Sequence, residues 1–492
     1  MKILLVYPEY PDTFWSFSYA LPFISKKAAF PPLGLLTVAS MLPEDWKLKL
    51  VDMNVEELTE SDIWWADMVF INAMLVQGNS AKEVISMCND IGTPVVVGGP
   101  AFTSEYEKFE GVDHFILGEA EITLGPFLAD LQAGTAKKIY VSDEKPDMKT
   151  TPIPKWSLVN FSDYASVAIQ FSRGCPFNCN FCDITKMYGR LSRTKLPRQI
   201  IEEMQSLYDA GWKGSVFFVD DNFIGNRKNV RELLRWLIDW QEKHRYPFLL
   251  FTEASIDLAK DEELMNLMSA ANFARVFIGI ESSNEESLKE SGKIQNIGID
   301  LEEAIGIIHQ HGMQVMGGFV IGFDKDDESI FSALAELIKN TGIVTAMVGT
   351  LTALPQTQLW QRLQDEGRLL GDTTGENTDS DLNFVPKMDK DVLVNGYKDL
   401  VVELYSPKVY YKRIDTLFKN YNSKSKSRLS LADIMAFFKS LYVIGFSRSG
   451  FYFWKILLKT ALIRPNLFHT AIELAIFGWH FRIIAEKMLK SK

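Results

Sequence analysis

Three of the four cysteines in this 492-residue chain fall in one short stretch, Arg173-Gly174-Cys175-Pro176-Phe177-Asn178-Cys179-Asn180-Phe181-Cys182. Thiolates spaced Cys-x3-Cys-x2-Cys on a single loop can hold three irons of a cubane and leave the fourth iron open. An open iron suits a small molecule that offers both an amine and a carboxylate. Structural zinc wants four protein ligands, and this loop has no fourth Cys or His. Cys88 lies in a stretch of helical periodicity and reads as a buried apolar residue.

The loop follows an apolar run, Val167–Phe171, that opens a series of similar runs. The others are Ser215–Asp220, Phe248–Thr252, Val276–Ile280, Val315–Ile321 and Val344–Leu351, separated by helical stretches. The pattern predicts a partial (β/α)6 barrel over residues 164–360, with its chemistry at the carboxyl-terminal rim. Residues 1–140 read as a separate α/β domain with a five-stranded open parallel sheet. Its strands are Ile3–Tyr7, Leu48–Val51, Met68–Ile71, Pro94–Val97 and His114–Leu117, and its ligand would bind beyond their carboxyl ends. A polar, proline-containing stretch, 141–163, reads as a linker. Residues 361–492 read as mostly helical, with a polar loop at Gly371–Asp381.

Composition narrows the field. A net charge of −11 argues against nucleic acid as a partner. Few cysteines, mostly clustered, point to a reducing cytoplasm, and the five-residue apolar run before Pro8 is too short for a signal-peptide core. The charge is unevenly placed. From Tyr405 onward there are 16 Lys and Arg against 4 Asp and Glu, a balance of +12, which leaves −23 on the rest. A basic tail on an acidic body suggests that the tail has its own partner.

The cysteine spacing, Phe181 before the third cysteine and the strand-loop position resemble the radical S-adenosylmethionine (SAM) superfamily over about residues 165–360. The resemblance implies a [4Fe-4S] cluster on Cys175, Cys179 and Cys182. It implies reductive cleavage of SAM to a 5′-deoxyadenosyl radical, with electrons from a flavodoxin- or ferredoxin-type donor. It places Phe181 near the adenine and Asp220 or Asp221 at the SAM amino group. Glu281 is expected at the SAM ribose or carboxylate, and Gly317 and Gly318 where adenine approaches closely.

Three segments of the first domain resemble the cobalamin-binding domain of cobalamin-dependent radical SAM enzymes: Pro31-Pro32-Leu33-Gly34-Leu35, Val96-Val97-Gly98-Gly99-Pro100 and Leu117-Gly118-Glu119-Ala120-Glu121. On that resemblance Gly34, Gly98, Gly99, Gly118 and Glu119 line a cobalamin site. The Asp-x-His-x-x-Gly motif that supplies an axial His in other cobalamin proteins is missing, and His114 is the only His before residue 240. Asn383–Lys387, Gly396-Tyr397, Leu404–Pro407 and Tyr410–Arg413 resemble a C-terminal domain found in a subgroup that includes hopanoid C-3 methylase.

The resemblance implies a C-methyltransferase acting on an unactivated carbon, with a hopanoid-like or other apolar lipid as one substrate class. A ring-forming, coupling or rearranging enzyme with the same cofactors is the alternative, and a non-catalytic corrinoid or Fe–S protein a weaker one. In the tail, Phe, Trp and Leu are interleaved with Lys and Arg over the last 60 or so residues. That pattern fits a helix lying in a membrane interface, and equally a helical lid packed on the barrel.

Overall fold

The computed structural model describes residues 1–376, 381–426 and 430–490. Part of the expected Gly371–Asp381 loop and the last two residues of the tail lie outside these. Short runs of Val, Ile, Leu and Phe form strands buried on both faces, as helices on either side of a parallel sheet require. In the first domain they are β1 (Lys2–Tyr7), β2 (Lys47–Asp52), β3 (Met68–Asn72), β4 (Val95–Gly98), β5 (His114–Ile116) and β6 (Ile139–Tyr140). All pairs are parallel, in the order β2-β1-β3-β4-β5-β6. The chain switches direction at β1, so a ligand crevice opens at the carboxyl ends near β1 and β3. The sheet thus has six strands where five were expected. The added β6 is two residues long, too short to carry a periodic signal.

Residues 141–163 are packed down rather than a free tether. Trp156 is buried, the Lys155 N–H donates to Leu36 O, and the Ser40 hydroxyl donates to Ile153 O. Ala28 bridges in parallel to Tyr164, just ahead of β7 (Ser166–Ile169), so the first domain is stitched to the second sheet.

From β7 the chain enters a two-stranded antiparallel ribbon, β8 (Ser172–Arg173) and β9 (Arg193–Thr194), which encloses the cysteine loop. The barrel continues with β10 (Ser215–Phe218), β11 (Leu249–Ala254), β12 (Phe273–Glu281), β13 (Gln314–Ile321) and β14 (Ala346–Thr350). Its strands are parallel and in sequence order, with β7 and β14 at the edges, so the barrel is open on one side. Alternate residues on β10–β12 are fully buried under the helices, while those between face the barrel interior and stay partly exposed.

The C-terminal region packs on the barrel's open side. Arg413 is fully buried and donates to the carbonyls of Ile343, Val344 and Leu404. In helix Phe468–Met488, Phe481 stacks on Phe14 at 4.1 Å and His480 Nε2 hydrogen-bonds Phe14 O at 3.0 Å. Helix Leu431–Val443 packs beside Leu21–Ile24 of the first domain, with Lys439 Nζ donating to Pro22 O, and helix Gly450–Ile463 packs on Phe468–Met488.

Candidate active site

The cysteine loop is pinned at its entry by the end of β10. Asp220 is buried and accepts the Phe171 N–H at 2.8 Å and the Ser172 hydroxyl at 2.6 Å. Asp221 accepts the Gly174 N–H at 2.7 Å. Both aspartates, expected at the SAM amino group, bond the segment that leads into the loop. Burial pushes Asp220 up to about 7 and Asp221 up to about 6, in each case against the hydrogen bonds just named. Gly174 holds φ +89°, and a Cβ there would sit 2.6 Å from Leu191 O, so the entry needs glycine.

The loop's far side is held by the segment after β12. Asn180 donates from its N–H to Ser291 O and from Nδ2 to Glu290 O. Burial pushes the Cys182 thiol up to about 12, with Lys293 opposing. Cys175 and Cys179 are also raised, burial again leading and Lys293 again opposing. Iron binding would displace these protons. Cys88, pushed up to about 12 by burial alone, is an inert core residue.

Glu281 ends β12 at φ +64°, where the register with β13 shifts. Its Oε1 pairs with Lys293 Nζ at 2.6 Å, and Gly279 leaves the room for that pair, since a Cβ there would meet both groups. A non-glycine residue held at positive φ is a strained feature that clusters at functional sites. Glu253 on β11 faces the same interior and is pushed up to about 8 by burial and by the nearby Asp221 and Asp220.

Two side-chain oxygens beside the cysteines are buried without a hydrogen-bond partner, Asn222 Oδ1 at Cys175 and Gln295 Oε1 at Cys179. Gln295 Nε2 lies 3.9 Å from Cys179 Sγ. Orphaned acceptors beside three thiols fit a ligand that brings ammonium and hydroxyl donors. The residues therefore suit a cluster with SAM bound to it. Lys293, Glu253 and Gln295 were not foreseen. Lys293 and Gln295 sit in Ser291–Asn296, a polar connection whose sequence gives no sign that it folds back to the cysteines.

The other residues expected at SAM have these protein neighbours. Phe181 packs edge-on to Phe323 at 6.0 Å. A Cβ at Gly317 would lie 2.7 Å from the Phe319 ring, and one at Gly318 would lie 2.6 Å from the Phe277 ring, so both glycines make room for neighbouring aromatics.

At the carboxyl ends of the first sheet, Gly34 and Gly99 flank the Asn72 side chain, and Gly98 closes on Ile116 O. Gly99 holds φ +100° and a Cβ on it would come within 2.5 Å of Asn72 Nδ2. Gly118 faces open space, with nothing within 4 Å of its Cβ position. This low floor at the switch point can accept a flat macrocycle. His114 begins β5, at the amino-terminal end of the strand and away from the carboxyl ends, with Nδ1 on Lys137 O. EPR of the cob(II)alamin form is therefore expected to lack the splitting of an axial protein imidazole. Strong nitrogen splitting that disappears in His114→Ala would refute this.

Three family profiles tile the chain: B12 binding domain over residues 24–127, Radical SAM superfamily over 169–338, and a domain of unknown function over 357–492. An uncharacterized methyltransferase of Synechocystis sp. is 42% identical, the match covering 98% of this chain and 91% of that protein. The chain belongs to the cobalamin-binding radical SAM methyltransferases. The hopanoid C-2 methylase of Rhodopseudomonas palustris is 35% identical over 84% of this methyltransferase and 79% of its own length. The fold is shared with the radical SAM methyltransferase TsrM from Kitasatospora setae, solved with cobalamin and a [4Fe-4S] cluster. That match has a TM-score of 0.62 at 14% identity and covers 97% of this chain and 98% of the other. The methyltransferase thus works with a [4Fe-4S] cluster, SAM and cobalamin.

Proposed function

We propose that this methyltransferase adds a methyl group to an unactivated carbon of a hopanoid-like or other apolar polycyclic lipid, taken from a membrane surface. The observation that carries the substrate class is the barrel's inner face. Phe217 and Phe251 stack there at 4.8 Å, Phe30 from the first domain packs on both, and Trp15 lies edge-on to Phe277 at 5.6 Å. These rings are partly exposed, unlike the buried set on the strands' other face. A wall of rings with Met347 beside Trp15 holds an apolar body by area and shape and offers few polar groups to orient it.

When bound, the cluster and SAM supply a hydrogen-abstracting radical and the corrinoid relays the methyl group. On this reading Cys175, Cys179 and Cys182 hold the cluster, and the Glu281–Lys293 pair with Asn222 and Gln295 orients SAM. The aromatic wall places the target carbon and keeps water out. Electrons come from a flavodoxin- or ferredoxin-type carrier.

The membrane reading is supported by two helices. Among the described residues no helix is long and apolar enough to cross a membrane. Yet Leu431, Phe438 and Tyr442 stand 80%, 63% and 76% exposed on one helix, and Phe451 and Leu462 stand 73% and 83% exposed on the next. Both helices already bury apolar residues, Ala436 on the first and Phe453, Ile456 and Leu457 on the second, so the exposed ones form apolar surface beyond what packing uses. The substrate class is tested by the lipid profile of a strain lacking the gene, with anaerobic incubation of its extract with the purified enzyme, SAM and a low-potential reductant. A methylated polycyclic lipid is expected to vanish in the strain and return in the reaction. An unchanged apolar-lipid profile would sink the proposal.

A further inference from the structure

The ribbon that closes the cysteine loop sends two arginines into the first domain. Arg173 and Arg193 are register partners across β8 and β9. Glu119, immediately after Gly118 at the end of β5, accepts Arg173 Nη1 at 2.8 Å on Oε2. It also accepts Arg193 Nη2 at 2.8 Å on Oε1 and Arg193 Nη1 at 3.2 Å on Oε2. Glu121, in the first turn of the following helix, accepts Arg173 at 2.9 and 3.0 Å and the Thr151 hydroxyl at 2.7 Å. The side chains of Glu119 and Glu121 are 3% and 4% exposed and each arginine 13%.

Two carboxylates and two guanidiniums leave no net charge at the joint, and further donors are occupied. Arg173 Nε donates to Gln170 Oε1 and Arg193 Nη1 to Pro146 O, each at 2.7 Å. Breaking one partner of such a buried set leaves an uncompensated charge, so the set holds together as a unit. Forked guanidinium–carboxylate bonds fix angle as well as distance, which an apolar contact of equal area does not.

We infer that Glu119, Glu121, Arg173 and Arg193 form a clamp that sets the neck of the iron–sulfur loop against the strand ends that carry the corrinoid. Glu119 is then a positioning residue and not a corrinoid contact. The reason to hold this joint rigidly is chemical. A substrate carbon must present itself to two separate cofactors, and misplacement by about 1 Å can cost on the order of 10²-fold in rate. The cysteine loop is also held to the barrel by Asp220 and Asp221, so the clamp couples the two domains and not merely the loop to itself.

The inference rests on both cofactors being resident, and its test needs no substrate. Full-length wild type, Glu119→Gln and Arg193→Lys are reconstituted anaerobically and assayed for cobalt and iron. Dipolar EPR then measures the separation between cob(II)alamin and the reduced cluster. Both variants are expected to bind both cofactors at wild-type stoichiometry. The narrow separation of the wild type is expected to be lost in Glu119→Gln and partly kept in Arg193→Lys, where the charge survives without the fork. Wild-type narrowness in Glu119→Gln overturns the clamp. Loss of cobalt with full iron also overturns it, because Glu119 would then serve the corrinoid. If Glu119→Gln does not fold, Arg193→Lys decides by the same criterion. A wild type that binds no cobalt would strike the cobalamin reading itself, a failure distinct from either.

Discussion

Replacing Cys175, Cys179 or Cys182 by alanine is expected to remove the iron–sulfur cluster, whereas Cys88→Ala leaves it in place. Each loop thiol serves its own iron, so two remaining thiolates cannot hold a cubane that already has one open iron. Cys88 is buried in helix Gly78–Ile91 of the first domain, away from the loop. Iron and sulfide analysis should fall from about four of each per chain to near zero in the three loop variants. Formation of 5′-deoxyadenosine from SAM should fall to background with it.

The variants should nevertheless fold. The neck of the loop is held by Asp220, Asp221 and the β8–β9 ribbon, none of which needs the cluster. Circular dichroism and cobalamin content near wild type would show that the loss is local. Full cluster content in Cys179→Ala would falsify the assignment.

The cysteines and the strands were legible because both signals are local. Three thiols within eight residues define a ligand set without any knowledge of the fold. Runs such as Ile3–Tyr7 and Val315–Ile321 announce parallel strands by composition alone. What the sequence could not carry is where a polar side chain turns once it is placed. Asp220 and Asp221 stand at the strand end where they were expected, yet their oxygens bond residues nearly 50 positions earlier in the chain. Glu119 sits among the expected glycines, but its partners Arg173 and Arg193 lie 54 and 74 residues on. Glycines show the same limit. Gly317 and Gly318 read as room for a ligand, and the atoms nearest a Cβ there belong to the Phe319 and Phe277 rings.

The tail shows the same limit. The lid and the membrane face were alternatives for one segment, and its helices differ in what they cover and in what they leave exposed. Helix Phe468–Met488 packs on the first domain and the barrel, with Phe481 on Phe14 and an Arg275–Glu473 ion pair reaching β12. The helices Leu431–Val443 and Gly450–Ile463 also pack inward, through Ala436 and through Phe453, Ile456 and Leu457, but leave further apolar side chains exposed, with Arg448, Lys455 and Lys459 exposed among them. Truncation at Leu431 would remove the covering surfaces and the exposed ones at once and so could not distinguish them. Surface substitution can.

The quadruple variant Phe438→Ser, Phe446→Ser, Phe451→Ser, Leu462→Ser is expected to lose membrane association while keeping its fold. These side chains are 63%, 84%, 73% and 83% exposed, so serine there removes little packing and the melting temperature should hold. Inserting each into an acyl boundary is worth about 1 kcal/mol, taking half or less of the full burial value. Four together reach about 4 kcal/mol, or roughly a thousandfold in partitioning. Each exposed Lys or Arg near an anionic leaflet adds about 1 kcal/mol, decaying over about a Debye length. Wild-type protein should therefore sediment with anionic vesicles more strongly than with neutral ones and lose part of that binding as salt rises. The salt-resistant remainder should be the part that the quadruple variant lacks. If the variant sediments like wild type, the exposed apolar side chains do not touch lipid. Wild type that ignores anionic vesicles at low salt would end the membrane reading, and the apolar substrate would then need a carrier to reach the aromatic wall.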